Sequence, residues 1–284
     1  MTRDEKLLIT FLERNLPAMA STFDEGIGIT SERYFVAKLI EKIMRQYQIK
    51  TVLEAPVDGL MGIPGLNSVY FARAGAKITV ASPAKALLEN AKKFWQKLNL
   101  QRMVRFVWDP EFKFPFKDES FDLVWNYCIF EHFQNGNLLP EMKRVSKNLI
   151  LIISQNRYNW GYPIHRWHHY KNNQVWDHGY SELMDIFYLK KILKKAGLKV
   201  EMSGCFDIPP WFDTFDMHTR GLGKKLVGKK EEKWYWSALQ EGDLEKLSQA
   251  RLIQFLDFFQ KILMFPFNLL FAHHFYFLAS KENG

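Results

Sequence analysis

The chain has 284 residues, enough for one sizeable α/β domain with insertions or at most two small domains. Hydrophobic residues make up 47% and charged residues 25% of it, an ordinary globular composition that excludes a disordered chain. The 39 Lys and Arg residues against 31 Asp and Glu give a net charge of +8, which favours anionic partners, yet no stretch is typical of a nucleic-acid-binding motif.

Several features of the sequence concern the cellular compartment. Cys128 and Cys205 form no metal-ligand spacing and are expected to be buried thiols in a reducing compartment. The first residues are charged and lack the apolar segment of a signal peptide. The longest apolar stretch, 262–272, is about half as long as a membrane span and contains Pro266. These features predict a soluble, cytoplasmic protein, and they leave open a peripheral contact with a membrane.

Residues 1–50 predict two helices that pack on the core of the protein. Leu7, Leu8, Phe11 and Leu12 form one apolar stripe, and a second stripe runs from Tyr34 to Met44. A turn signal, Asp24-Glu25-Gly26-Ile27-Gly28, separates them. We therefore place a boundary after residue 50 and assign 51–284 to one domain with insertions at 155–182 and 207–272.

From residue 51 onward, short apolar runs alternate with helical patterns. The runs that predict strands are 51–55, 77–81, 104–108, 121–125, 148–154, 199–206 and 274–279, and helices are predicted at 66–74, 83–98 and 137–146. Continuous apolar strands separated by helices are typical of a parallel sheet covered on both faces. The sequence thus predicts a doubly wound, mostly parallel α/β layer.

Three sequence segments carry a family resemblance. The first predicted strand ends in an acidic residue, VLEAP, before a glycine-containing loop. The run FPFKDESFDLVWNYCIFEH follows Asp109, and LLPEMKRVSKNLILIIS comes after it. In these segments the chain resembles class I S-adenosylmethionine (SAM)-dependent methyltransferases of the broad type 11 kind, over roughly residues 34–206 and the final strand. The resemblance implies a Rossmann-like fold with a seven-stranded sheet and SAM as the cofactor.

The resemblance also implies roles for residues at the carboxyl ends of the strands. Glu54 would organise the loop that holds the methionine moiety, Asp109 would face the adenine amino group, and Asn126 would line the pocket beneath the sulfonium. The physical reason is that an ammonium group and an exocyclic amine need acceptors. The cofactor loop itself would contain Gly59, Gly62 and Gly65, where glycine permits a close backbone approach.

Two features depart from the family pattern. The three glycines are spaced by three residues rather than two, and the connection to the second strand is several residues longer than usual. In addition, Ser82 stands where the family has an acidic residue that binds the ribose hydroxyls. Ser82 can make one neutral hydrogen bond, so the loss of the charged pair would lower cofactor affinity by about 1.5–3 kcal/mol if nothing replaces it.

Residues 155–182 form an insertion that is rich in histidine and aromatic side chains. In the family this connection commonly covers the active site. Three interpretations are open. It could bind a substrate through His165, Trp176 and Tyr162, since aromatic walls with polar tips suit a ring or sugar-like acceptor. It could bind a metal through His165, His169 and Asp177 or His178. It could also be a packed lid. No complete metal motif is present, and the sequence alone assigns no metal.

If the acceptor must lose a proton, His178 and His169 are the predicted general bases, because imidazole titrates near neutrality. The region 207–272 is a helical, aromatic-rich insertion before the last strand. Its apolar stripe from Leu252 to Leu263 predicts packing against the sheet or a partner subunit, as in a homodimer, or contact with a lipid surface. The sequence therefore predicts a SAM-dependent methyltransferase for a small-molecule or lipid-linked acceptor. The alternative is a non-catalytic protein of the same fold that binds a ligand or partner through the same cleft.

Overall fold

A computed structural model describes residues 26–57, 63–173, 176, 178–208 and 238–282. Its centre is a seven-stranded sheet in the order β3-β2-β1-β4-β5-β7-β6. The strands are β1 Thr51–Glu54, β2 Lys77–Ser82, β3 Val104–Trp108, β4 Phe121–Tyr127, β5 Ser146–Gln155, β6 Leu198–Phe206 and β7 His274–Lys281. The neighbouring strands from β3 to β5 are parallel, whereas β7 runs antiparallel to both β5 and β6. The predicted doubly wound, mostly parallel sheet is confirmed.

The described helices are α1 Gly26–Gln46, α2 Val69–Arg73, α3 Lys85–Lys97, α4 Leu139–Val145, α5 Tyr162–Lys171, α6 Ile186–Lys195, α7 Asp243–Gln249, α8 Arg251–Ile262 and α9 Phe267–Phe271. Helix α1 corresponds to the second predicted N-terminal helix, and positions 30–37 of it are all buried against the core. The first predicted helix, with Leu7 and Phe11, lies outside the described residues.

Strand β4 shows how the two faces of the sheet are covered. Trp125 points to one face, where its ring meets Phe71 of α2 edge to face and its indole N–H donates to the Ser68 hydroxyl. The next residue, Asn126, points to the other face, where its amide lies 3.4 Å from the sulfur of Met142 in α4. Side chains alternate across a strand, so each strand contributes to both layers of the core.

Only part of the predicted apolar stripe of helix α8 is covered by other described residues. Only Ile253 and Leu256 of this helix are buried, whereas Phe255, Phe258 and Ile262 are each half exposed or more. The helix thus packs by a narrow edge and leaves a broad apolar face uncovered by the described residues. In the part of the chain that the structure describes, no helix combines the length and the apolar character needed to cross a bilayer.

Candidate functional site

Glu54 ends β1 at the carboxyl edge of the parallel strands, where open α/β sheets bind their ligands. Its side chain is buried, and its Oε2 accepts a hydrogen bond of 3.2 Å from the backbone N–H of Ser68, directly before α2. Burial raises the pKa of Glu54 to about 7, against the opposing effects of the Ser68 bonds and the charge of Arg33. A carboxyl in this state favours a nearby cation.

Arg33 brings a second buried charge to the same region from α1. Its guanidinium donates to Oδ1 of Asn67 at 2.6 Å and to the carbonyl of Ile63 at 3.1 Å. The residue is only 2% exposed, so α1 closes over the loop that follows β1. Sequence reasoning missed Arg33. The signal was a charged side chain inside an otherwise apolar helical face. Such a side chain is rarely buried without a function or a partner.

The structure describes one of the three loop glycines, Gly65. Gly65 has a φ of +74°, and a Cβ at this position would lie 3.2 Å from the side chains of Ala91 and Val80. Core packing and backbone conformation therefore both require this glycine, independently of any ligand. Gly59 and Gly62 lie outside the described residues.

Ser82 is the last residue of β2, and Asp109 is the first residue after β3. Each makes hydrogen bonds within its own loop. The Ser82 hydroxyl accepts from the backbone N–H of Ala84 at 3.2 Å. The two carboxylate oxygens of Asp109 accept from the N–H groups of Lys113 at 3.2 Å and Phe114 at 2.9 Å. Each carboxylate oxygen has a second lone pair, so Asp109 can shape the loop and still accept another bond.

Asn126 is fully buried and is directed toward Met142 on the α4 face of the sheet. Its Oδ1 atom has no hydrogen-bond partner among the described residues. The side chain thus lies between β4 and α4. A role for Asn126 in lining the cofactor pocket stays a prediction.

The histidine-rich insertion forms one compact cluster. Nε2 of His169 lies 3.1 Å from Nε2 of His165, one turn earlier on α5, and 3.3 Å from Nε2 of His178. Trp176 packs against all three imidazoles, with ring centroids 4.7–5.7 Å apart, and Tyr162 meets Trp176 edge to face at 5.5 Å. The structure therefore brings together all five residues that the sequence predicted to bind or act on the acceptor.

Glu131 fixes this cluster to the sheet. Its buried carboxylate accepts from the Ser154 hydroxyl and the Gln155 N–H at the end of β5, both at 3.2 Å. Its backbone carbonyl accepts from the N–H of Tyr180 at 2.7 Å. Gly179 has a φ of +93°, and a Cβ there would lie 2.6 Å from that same carbonyl. Gly179 and Tyr180, which directly follow His178, are thus held against the end of β5.

A buried polar network, which sequence reasoning missed, lies at the same edge of the sheet. The Tyr127 hydroxyl at the end of β4 donates to Glu32 of α1. Asp207, just after β6, lies 3.0 Å from Nδ1 of His273. His274, the first residue of β7, lies 3.6 Å from Glu32 and 3.8 Å from Asp207. Burial, together with the charge of Glu32, raises the pKa of Tyr127.

The donor set at the end of β1 fits the cofactor that the resemblance implies. The methionine end of SAM is a zwitterion, so it needs an acceptor for its ammonium and a cation for its carboxylate. Glu54 is a buried acid whose pKa is raised by its burial, and Arg33 is a buried cation beside the same loop. Opposite charges at one strand end match the two ends of a zwitterion.

Comparison with known proteins agrees with this geometry. A methyltransferase domain family model matches residues 60–151. Among solved structures, a putative methyltransferase from Bacillus halodurans is 17% identical, with 86% of this chain and 99% of that chain covered and a TM-score of 0.50. The MccD protein is 13% identical, with 86% and 96% coverage and a TM-score of 0.53.

A geranyl diphosphate methyltransferase in complex with SAM is 11% identical, with 89% of this chain and 85% of that chain covered and a TM-score of 0.50. No curated protein matches the sequence. The strand order, the family match and the charged groups at the end of β1 all agree. Residues 60–151 thus match a methyltransferase domain family, and the chain as a whole shares its fold with these solved structures.

Proposed function

We propose that the protein transfers the methyl group of SAM to a small-molecule acceptor held between the sheet edge and the histidine-rich insertion. The observation that carries the proposal is the pair of buried charges, Glu54 and Arg33, at the carboxyl end of β1. Strand order and the methyltransferase family match support it. When bound, SAM supplies an electrophilic methyl group on a sulfonium.

In this proposal each polar group at the strand ends has a task. Glu54 accepts from the ammonium of the methionine moiety, and Arg33 supplies positive charge for its carboxylate. Asp109 accepts from the adenine amino group with the lone pairs that its loop leaves over. Ser82 offers the ribose a hydroxyl. Gly59, Gly62 and Gly65 belong to the loop that passes the cofactor.

The acceptor side is formed by Trp176, Tyr162 and His165, whose contacts make a half-buried aromatic wall. Most of the acceleration of a methyl transfer comes from holding the acceptor in line with the methyl group. Such a wall suits a flat or apolar acceptor. For an acceptor that must first lose a proton, His169 and His178 remain the predicted general bases.

The same proposal extends to a lipid-linked acceptor or to a peripheral contact of the protein with a membrane. It is supported by the exposed apolar side chains of α8, α9 and the turn between them: Phe255, Phe258, Ile262, Met264, Phe265, Phe267 and Leu270. We call this set the α8–α9 face. Together with a net charge of +8, it suits a surface that is apolar beneath and anionic at its headgroups. The same face would serve a homodimer.

A second candidate function is ligand binding without methyl transfer. The hydrogen bonds that Ser82 and Asp109 make within their own loops favour it, because they reduce what these groups can offer a nucleoside. The two functions differ in turnover and share cofactor binding.

Calorimetric titration of the purified protein with SAM and with S-adenosylhomocysteine tests the proposal. We expect both to bind with one site per chain. The absence of binding up to millimolar concentration would remove the methyltransferase function. Binding of both ligands, with no methyl transfer from labelled SAM to any member of a panel of small acceptors, would favour the second candidate.

A further inference from the structure

The three imidazoles of the insertion bring their ring nitrogens close together, an arrangement that cofactor binding does not require. We propose that His165, His169 and His178 bind one Zn²⁺ ion through their Nε2 atoms and leave a fourth coordination position open. The imidazoles are neither fully buried nor fully exposed, and one ligand nitrogen from each lies within 4.8 Å of the others. The inference does not depend on methyl transfer, and a zinc-bound Nε2 of His169 or His178 would no longer act as the general base.

The distances between the nitrogens agree with tetrahedral zinc. Zinc–nitrogen bonds are about 2.0–2.1 Å long, so two ligand nitrogens of a tetrahedral site lie roughly 3.3 Å apart. The separations from Nε2 of His169 to Nε2 of His165 and of His178 are 3.1 Å and 3.3 Å. The same nitrogen is used in both contacts, and one ligand nitrogen from each of the three rings lies within 4.8 Å of the others.

Both sides of the cluster are anchored to regular elements of the fold. His165 and His169 are one turn apart on α5, which places them on one face of the helix. His178 precedes Gly179 and Tyr180, which the carbonyl of Glu131 holds against the end of β5. The positions of the ligands are therefore set by the fold before any ion arrives, which lowers the conformational cost of binding.

The chemistry of the donors selects the ion. Three neutral imidazoles suit zinc and neighbouring transition metals, whereas magnesium and calcium prefer oxygen ligands. Three protein ligands with an open fourth position are typical of zinc sites that bind water or a substrate atom. Trp176 closes one side of the cluster, so the open position would admit an oxygen or nitrogen donor of a small molecule.

The alternative is a metal-free cluster in which the imidazoles hydrogen-bond with one another. The chain offers a matched control for telling the two apart. His168 lies next to His169 on α5 but is exposed and contacts Asn172 on the same helix. Among the described side chains of α5 none is fully buried, so His→Ala changes on this helix should leave the fold intact.

The experiment uses the full chain, purified without an affinity tag and stripped with a chelator. Zinc is titrated against a chromophoric indicator, and cobalt is added separately to record the visible bands of tetrahedral Co²⁺. We expect one zinc per chain in the wild type and in His168→Ala. In His169→Ala we expect affinity to fall by about 100-fold or more and the cobalt bands to vanish.

Thermal unfolding without metal should give the same Tm for the two variants. The proposal is overturned if the wild type binds no zinc, or if His168→Ala and His169→Ala bind it equally well. Calorimetry with SAM on the same samples reports the cofactor site separately, so a failure of the zinc site is distinguishable from a failure of the proposed methyltransferase function.

Discussion

The Oε2 atom of Glu54 lies 3.2 Å from the backbone nitrogen of Ser68. This contact joins the end of the first strand to the start of the helix that follows the cofactor loop, so one carboxyl holds the loop at both of its ends. The same group is the predicted partner of a cationic ligand, and its structural and functional roles can be separated by a change that removes only its charge.

Glu54→Gln should weaken SAM binding about ten-fold or more, because a charge-assisted hydrogen bond contributes roughly 1.5–3 kcal/mol. The amide oxygen can still accept from Ser68, so the fold should persist. Calorimetry measures the change. Glu131→Gln is the matched control, since Glu131 is equally buried and its pKa is likewise raised to about 7. Equal losses in both variants would show that the effect comes through the fold.

The two buried glutamates also predict how stability depends on pH. Burial raises the pKa of Glu54 and of Glu131 from 4.5 to about 7, so the folded state binds protons that the unfolded state has released. Their stabilising contribution is complete below about pH 4.5 and is lost as pH rises through 7.

Between pH 5 and pH 8 the free energy of unfolding should therefore fall by on the order of 2–3 kcal/mol for each of the two carboxyls. Urea unfolding at these two pH values measures it. The double variant Glu54→Gln, Glu131→Gln should show a flatter dependence. A slope unchanged from that of the wild type would contradict the assignment.

For Asp109, two substitutions distinguish loop structure from adenine binding. Asp109→Ala leaves the buried N–H of Phe114 without its acceptor and should cost about 1–3 kcal/mol of stability. Asp109→Asn keeps one acceptor oxygen and should cost less, yet it loses the carboxylate that the adenine would use. We expect both variants to bind SAM more weakly in calorimetry. Wild-type affinity in Asp109→Asn would confine this residue to its loop.

Tyr127→Phe should destabilise the protein by about 1–3 kcal/mol, because it removes the hydroxyl that donates to buried Glu32. Tyr158→Phe is the control, since Tyr158 donates to Asp185 at a half-exposed position and its loss should cost less. Denaturant unfolding of both variants provides the comparison. If the two variants lose equal amounts of unfolding free energy, the hydrogen bond to buried Glu32 stabilises the fold no more than an ordinary half-buried one.

The α8–α9 face predicts attachment to anionic vesicles. The double variant Phe258→Ser, Phe265→Ser should float less in a vesicle flotation assay than the wild type, because less apolar area reaches the lipid. Phe187→Ser removes an aromatic ring of similar exposure from α6 and should float like the wild type. A wild type that never floats, but elutes as a dimer, would assign the face to a second copy of the chain.

The sheet could be predicted from the sequence because buried parallel strands appear as continuous apolar runs. β2 and β3 lie within a residue of their predicted bounds, and β5 begins two residues early, at Ser146, because α4 ends at Val145. The pairing of His165 with His169 was also predictable, since helical spacing alone brings them together.

The rest depended on contacts between distant parts of the chain. Arg33 reaches the loop at Ile63, and Asp207 meets His273, 66 residues later. No local pattern encodes either meeting, because the fold alone decides which strand ends and which helix share an edge. The extent of the exposed face of α8 was also not predictable, because periodicity shows that a helix has an apolar side but not how much of it is covered.

The bond from Tyr180 to the carbonyl of Glu131 has a consequence for how ligands enter. Because Glu131 is bonded in turn to the end of β5, the amide hydrogen of Tyr180 should exchange with solvent about as slowly as those of the central strands. A segment with that protection does not open as a flap on the timescale of turnover. Ligand entry would then not depend on opening of this part of the histidine-rich insertion.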